Sequence, residues 1–367
     1  MWLGAHPGDP ARVGSRSLLD VIADDPAAQL GPEVRQRFGD ALPFLVKVLA
    51  ADEPLSLQAH PSAAQALEGY QREDRHGVPL NSPVRNYRDR NHKPELLVAL
   101  GGFEALAGFR PAARSVELMR GLNVAELAPF IALLDGPADH DGLRALFTTW
   151  ITAPQPELDR LIPAVLDGAV GYVRSGATEF AAEARSVLEL GERYPGDAGV
   201  LAALLLNRVS LKPGEGIFLP AGNLHTYLNG VAIEVMANSD NVLRGGLTPK
   251  HVDVPELLRV LDFLPVADAR VPTRREGHEL AYDTPTEEFA ASMLTFAAAD
   301  AGHELPAPTG HPGPQILICT EGSVAVRSEA ATAELDRGAA LWVPASEGPI
   351  RLESRGPAAV FRATVGI

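Results

Sequence analysis

The chain has 367 residues, with 47 acidic against 32 basic ones and a formal charge of -15 at pH 7. Beyond roughly 250–300 residues one hydrophobic core stops growing, so two or three domains are expected. The acidity argues against bulk nucleic-acid binding, though a few local Lys and Arg residues can still make a pocket for a small anion. No uninterrupted apolar run approaches the roughly 20 residues of a membrane span, and nothing at the start reads as a signal peptide, so no membrane partner is expected. The single cysteine, Cys319 in the run ILIC, permits no intrachain disulfide and suits a buried strand in a reducing, cytoplasmic setting.

The opening MWLGAHPGDP has a strand-to-turn character usual in a domain interior. Residues 14–50 look helical, with spacing at Leu18, Leu19 and Ile22 and a break around Asp24–Pro26; within them the apolar run 41–50 is short enough for a buried strand and also permits a helical turn. Residues 54–62, PLSLQAHPS, alternate strictly, with Ser56, Gln58 and His60 on one face and Leu55, Leu57 and Ala59 on the other. A helix capped by Ser62 follows. Residues 77–95 form a polar, Pro- and Asn-rich loop ending in KPELLVAL. Lys93 and Glu95 share a face there, and a carboxylate at the mouth of a buried strand wants a cation or a metal. GFEALAGFR, at 102–110, reads as a separate glycine-punctuated strand or turn. From 111 to 206 every segment has helical length and spacing, with His140 placed in a surface loop.

Strands return after Asn207. In GEGIFLPAGNLHTYLNG, Gly214 and Gly222 suit tight turns, and His225 starts a strand with Tyr227 and Asn229 on its face. In VAIEVMA, Glu234 shares a face with Ala232 and Met236. Arg244, before a Gly-Gly pair, is expected in a constrained loop. Residues 253–261 form a short helix with Asp253 as N-cap and Glu256 in the capping-box position. From 262 onward short segments, beginning with PVADARV at 265–271, have turns about every eight to twelve residues, as in a sandwich or small barrel. GAALWVPAS repeats the earlier spacing of a glycine followed six residues later by proline, Gly338 to Pro344 against Gly214 to Pro220, but no histidine follows.

Gln58, His60, Glu95 and His225 therefore stand out. Two imidazoles and a carboxylate are a common catalytic zinc set, and glutamine can add a fourth oxygen. The two histidines disfavour magnesium or calcium, and the only sulfur of a cysteine lies remote from these motifs. The ligands flank the helical stretch. Residues 1–110 and 207–261 are thus expected to build one β-domain, with 111–206 inserted and 262–367 forming a second, metal-free one.

WLGAHP (2–7), PLSLQAHPS (54–62), GVPLNSPVRNYRDRNHKPEL (77–96), LPAGNLHTYLNG (219–230) and SDNVLRGGLTPKHVDV (239–254) together resemble the type I mannose-6-phosphate isomerases, throughout the chain. The resemblance implies a mainly β fold of tandem cupin (jelly-roll) barrels with a helical insertion, and one zinc ion on Gln58, His60, Glu95 and His225. It implies interconversion of mannose 6-phosphate and fructose 6-phosphate through a cis-enediol(ate), with a phosphorylated hexose as partner and a monomer or weak homo-oligomer in the cytoplasm. The family's active-site arginine falls on Arg244; Ser56, Lys93, Glu234 and Tyr227 match pocket positions. Arg244 and the zinc would stabilise charge, Glu234 would transfer the proton, Lys93 would assist ring opening or hold phosphate, and Ser56 would meet phosphate. The family also carries a stretch before the first match, with a Tyr-x-Trp-Gly-Ser segment, that this chain lacks; a trimmed start or a modified barrel edge is expected. Two other readings are an epimerase or dioxygenase cupin, against which Gln58 and the Lys–Arg pocket argue, and a non-catalytic metal- or sugar-binding cupin.

Overall fold

The computed structural model describes residues 1–135, 139–302, 304–306 and 313–367. Strands β1 (Trp2–Leu3), β2 (Arg12–Val13) and β3 (Arg16–Ser17) lead into helices α1 (Leu18–Asp24), α2 (Pro26–Leu30) and α3 (Pro32–Phe38). The Ser17 and Asp25 side chains accept from the N–H groups of Asp20 and Ala28, and prolines open α2 and α3, where a missing N–H costs nothing. The apolar run resolves as a strand, β4 (Phe44–Ala51). The alternating stretch holds the expected faces, but its hydrogen-bonded part is only β5 (Leu57–Ala59). Helix α4 (Ala63–Arg75) starts at a full capping box between Ser62 and Gln65.

Strand β6 (Glu95–Phe109) takes both the KPELLVAL run and the GFEALAGFR stretch into one strand of 15 residues. Its register against the later strand β9 shifts between Ala99 and Phe103 and again between Glu104 and Ala105, so irregular pairing absorbs the glycines without ending the strand. Helices α5 (Ala112–Leu122), α6 (Ala128–Leu134), α7 (Asp139–Ile151), α8 (Gln155–Arg174), α9 (Ala181–Arg193) and α10 (Gly199–Ala202) follow. His140 sits in the first turn of α7, with its ring edge-on to Phe263 at 6.2 Å, instead of in a loop.

The chain returns through β7 (Leu206–Leu211), β8 (Gly216–Leu219), β9 (His225–Ala237), β10 (Leu243–Gly246) and helix α11 (Val254–Val260). These join the earlier strands in an eight-stranded sheet of path β1-β4-β9-β5-β10, with β6 pairing β7, β8 and β9. Arg244 lies on β10, opposite Gln58, and not in a loop. Asp253 caps α11 as expected, but the Glu256 carboxylate turns away from the cap and accepts from the Tyr87 hydroxyl at 2.5 Å. Residues 265–271 form no strand; they touch the sheet through a bridge from Arg270 to Ile217.

The remaining strands are β11 (Thr273–Glu276), β12 (Glu279–Tyr282), β13 (Ala290–Phe296), β14 (Glu304–Pro306), β15 (Gln315–Glu321), β16 (Ser323–Arg327), β17 (Thr332–Asp336), β18 (Ala340–Val343), β19 (Arg351–Ser354) and β20 (Ala358–Thr364). A six-stranded sheet, β11-β12-β13-β20-β15-β18, packs on a four-stranded one, β14-β19-β16-β17, through Leu294, Leu317, Cys319, Val326, Leu352 and Val360. With α-helices in every part but this last one among the described residues, the architecture is mixed α and β, with several antiparallel sheets, where a mainly β chain was expected. The spacing repeat has a structural counterpart. Gly214 N–H donates to Ala99 O (2.8 Å) and Ala99 N–H to Glu215 O (2.9 Å); Gly338 N–H donates to Cys319 O (2.8 Å) and Cys319 N–H to Ala339 O (3.0 Å). Both glycines have φ above +80°.

The polar loop at 77–92 is fastened to α4. Glu73 accepts from the N–H groups of Asn86 (3.0 Å) and Tyr87 (2.9 Å), and Arg85 reaches Asp74 at 2.7 Å. The Tyr87 ring is fully buried, and a Cβ built on Gly69 of α4 would lie 2.3–2.5 Å from three of its atoms. Alanine would gain up to about 1 kcal/mol in helix propensity, whereas forcing the pinned ring aside costs about 1–3 kcal/mol. Gly69→Ala should therefore lower stability, by about 1–2 kcal/mol, in urea unfolding; a more stable protein would show that Tyr87 is free to move.

Candidate metal centre

Three strands bring the expected ligands together. Gln58 on β5 pairs in register with His225, the first residue of β9, and His225 in turn pairs with Ala107 of β6. Glu95 begins β6, beside Leu219 and Met236. His60 follows β5, and its carbonyl accepts from Gly222 N–H at 2.8 Å. Gly222 has φ +79°, and a Cβ there would lie 3.0 Å from the Asp262 backbone nitrogen, so this contact requires glycine.

Glu95 Oε1 lies 3.3 Å from His60 Nε2, and Glu95 Oε2 lies 3.3 Å from His225 Nε2. One ligand atom from each of the three falls within 4.8 Å of the others, and all three residues are buried. The Gln58 amide stands 3.4 Å from His225 Nε2, completing the expected set of four. His60 Nδ1 faces Asn241 O at 2.7 Å and His225 Nδ1 faces Asn223 O at 3.0 Å. A carbonyl can only accept, so each Nδ1 carries the hydrogen and each Nε2 turns a lone pair into the cluster. His60 Nε2 and Glu95 Oε2 are buried without a hydrogen-bond partner, which is costly unless a cation sits between them. The residues present fit a zinc ion.

The electrostatics match that role. Burial lowers the His60 pKa against the pull of Glu95, favouring the neutral ligand form. Burial also opposes the charge on Glu95, but the neighbouring Lys93 ammonium holds its pKa well below the usual carboxylate range. Lys93 Nζ sits 3.0 Å from Glu95 Oε1. Burial works against this ammonium too, yet Glu95 and Glu234 raise its pKa, so it stays protonated. Lys93 is therefore buried and paired with Glu95. Ser56 is half-buried next to β5, and Arg244 is half-buried opposite Gln58.

A second cluster adjoins the first. Glu234 Oε1 accepts from the Tyr227 hydroxyl at 2.7 Å, and Glu234 Oε2 pairs with Lys47 Nζ at 3.1 Å. The Lys47 ammonium also lies 4.7 Å from the Trp2 ring centre. Burial and the neighbouring Glu234 push the Tyr227 pKa well up, so it remains a hydrogen-bond donor. Sequence reading missed Lys47, although it is the one charge in the apolar run 41–50. It missed Asn241 as well, a fully buried side chain whose only signal is the polar turn before Arg244.

Removing one partner of a buried ion pair leaves the other uncompensated, at a cost of about 3–5 kcal/mol. Glu95→Gln should destabilise the metal-free protein by about that amount in urea unfolding. No measurable loss would mean that Lys93 is not held as a buried cation by Glu95.

Comparison with known proteins adds to this geometry. The model of the phosphomannose isomerase type I catalytic domain matches residues 1–112. The mannose-6-phosphate isomerase of Salmonella typhimurium is 37% identical over 363 residues, covering 97% of this chain and 89% of that protein. That of Escherichia coli is 36% identical with the same coverage, and that of Bos taurus is 32% identical over 368 residues, covering 95% of this chain and 84% of its own. Among solved structures, a zinc-bound mannose 6-phosphate isomerase superposes with a TM-score of 0.88 at 36% identity, covering 100% of this chain and 90% of that one. The metal-free form of the Salmonella typhimurium enzyme superposes equally well, with a TM-score of 0.88. With the same family name attached to relatives along nearly its whole length, the chain belongs to the type I mannose-6-phosphate isomerases, also called phosphomannose isomerases.

Proposed function

We propose that this chain interconverts mannose 6-phosphate and fructose 6-phosphate as a zinc enzyme. The observation that carries the proposal is the buried triad His60–Glu95–His225 with two unsatisfied ligand atoms. Gln58, His60, Glu95 and His225 would hold one zinc ion, which when bound supplies a Lewis acid for the negative charge that develops on a substrate oxygen.

The chain's own groups divide the remaining work. The isomerisation moves a proton between C2 and C1 of the open-chain sugar through a cis-enediol(ate). Glu234 serves as the base. Its two oxygens each accept one bond, from Tyr227 and Lys47, which fixes the plane of the carboxylate and leaves a lone pair on each oxygen for the migrating proton. Tyr227, next to His225, contacts substrate as well as orienting Glu234. Lys93, protonated and anchored on Glu95, donates to a sugar oxygen and assists ring opening. Arg244 places a fixed positive charge beside the substrate. Ser56, next to β5 beside Gln58, offers a hydroxyl to the phosphorylated end.

The same reading extends to architecture and setting. Residues 1–110 and 207–261 form a metal-holding cupin barrel, 111–206 a helical domain, and 262–367 a second cupin barrel without metal. The protein acts in the cytoplasm as a monomer or weak homo-oligomer, with neither nucleic acid nor membrane as partner. Among the described residues no helix is long and apolar enough to cross a membrane.

The test is a coupled assay for fructose 6-phosphate formed from mannose 6-phosphate, with metal content measured in parallel. Chelation should abolish turnover and added zinc should restore it. Arg244→Ala should retain zinc and lose about 10²–10³-fold in kcat/KM. A zinc-loaded protein that forms no fructose 6-phosphate would leave the non-catalytic cupin reading in its place.

A further inference from the structure

With Lys93 neutralised inside the protein, the phosphate of the substrate needs cations elsewhere. Two stand on neighbouring segments beside the metal centre. Arg244 is on β10, across from the ligand Gln58. Arg88 is on the loop ahead of Lys93, and its backbone N–H donates to Asn241 Oδ1 at 2.7 Å, three residues before Arg244. Among the described residues neither guanidinium has a hydrogen-bond or ion-pair partner. Their neighbours differ: Arg72 pairs with Glu256 at 2.7 Å, Arg85 pairs with Asp74 at 2.7 Å, and Arg90 lies over the Tyr70 ring.

The nearby acids are already engaged. Asp89 Oδ1 accepts from the Ser239 hydroxyl at 2.8 Å and Asp89 Oδ2 from Asp240 N–H at 2.7 Å, while Asp240 pairs with His6 at 3.1 Å. Burial and the charge on Arg88 together lower the pKa of Arg244, so the two cations sense each other. In a chain with a formal charge of -15, two adjacent arginines without counter-charge hold repulsion that an incoming dianion would relieve. Paired guanidinium forks suit the planar oxygen edges of a phosphate.

Asn241 ties this pair to the metal site. Its fully buried amide accepts from the N–H groups of Arg88 and Asp89 and donates to Asp89 O (3.0 Å) and Asn91 O (2.8 Å). Its own carbonyl accepts from His60 Nδ1 at 2.7 Å. One residue thus sets both the ring of a metal ligand and the position of the Arg88 backbone.

We propose that Arg88 and Arg244 form a two-arginine clamp for the substrate's phosphate, and that Asn241 is the positioning residue that fixes this clamp relative to His60. The proposal rests on the isomerase reading and adds Arg88 as the residue that selects phosphorylated sugars. A charge-assisted hydrogen bond contributes about 1.5–3 kcal/mol, which corresponds to roughly 10- to 100-fold in binding.

The test compares the zinc-loaded wild type with Arg88→Gln, an exposed position whose substitution leaves the core intact. KM for mannose 6-phosphate and the inhibition constant of inorganic phosphate should both rise about 10-fold or more, with kcat within about twofold. Competition by unphosphorylated mannose should not change, and Arg88→Lys should recover part of the loss. Asn241→Ala should weaken phosphate inhibition and speed zinc loss to a chelator together. Unchanged KM and phosphate inhibition in Arg88→Gln overturn the clamp even if the wild type turns over normally. If the wild type makes no fructose 6-phosphate, the isomerase reading fails instead, and calorimetric titration of inorganic phosphate into wild type and Arg88→Gln still decides the clamp.

Discussion

The buried carboxylate of Glu95 is the constraint on which the rest of the site depends. A carboxylate this deeply enclosed costs several kcal/mol to desolvate unless positive charge stands close to it. Lys93 supplies that charge at 3.0 Å on one oxygen, and both imidazoles converge on the two oxygens from opposite strands. Lys93 can satisfy Glu95 only in part, since Oε2 is left without a hydrogen bond. That incomplete compensation makes the centre a cation site and not merely a buried ion pair. It also holds Lys93 as a buried ammonium beside the cluster.

Bringing His225 to Glu95 requires the chain to return after a long excursion. The ends of the helical segment lie side by side: Arg110 N–H donates to Leu205 O at 2.7 Å, and Phe109 pairs with Leu206. The insertion therefore leaves and rejoins the sheet at neighbouring points. Its own core packs through Leu146, Trp150, Leu161, Val187 and Leu190, and Phe109 and Phe263 stack at 5.0 Å where it meets the strands. Loop-closure entropy grows only slowly with length, so such an excursion costs the β-sheet little once the helices bury their own apolar faces. The ladder of β6 with β9 can then carry His225 back to the ligand cluster regardless of what lies between.

What could be read from the sequence was what local chemistry decides. Alternation put Gln58 and His60 on one face, and the paired Lys93 and Glu95 announced a buried charge. Ser62 and Asp253 marked helix starts because a cap is satisfied within three residues. What escaped depends on partners far away in sequence. Lys47 looks like a blemish in an apolar run until Glu234, 187 residues on, stands opposite it. The pull of Tyr87 on the Glu256 carboxylate overrides the local capping-box pattern. The length of β6 escaped too, because a glycine pair weakens a strand by itself, but a strand paired on both edges tolerates it. Asn241 sits in a polar loop, where composition gives no hint of which side chain is buried.

The repeated turn separates what holds the fold from what holds the metal. Gly214 and Gly338 make the same pair of backbone hydrogen bonds to a neighbouring strand, which is local chemistry that any sequence with glycine there can keep. After the shared proline the two copies part. The first continues Ala221-Gly222-Asn223-Leu224-His225, and the second Ala345-Ser346-Glu347-Gly348. The histidine is not the only loss. Gly222 takes a positive φ against the Asp262 backbone so that its N–H can hold the carbonyl of His60, and Asn223 O fixes the tautomer of His225. Ser346 lies instead in a short helical turn. Restoring a histidine alone to the second copy would thus give a side chain without the backbone that aims it. Metal competence belongs to the whole stretch from Gly222 to His225 together with His60, and the glycine–proline spacing on its own specifies only a turn.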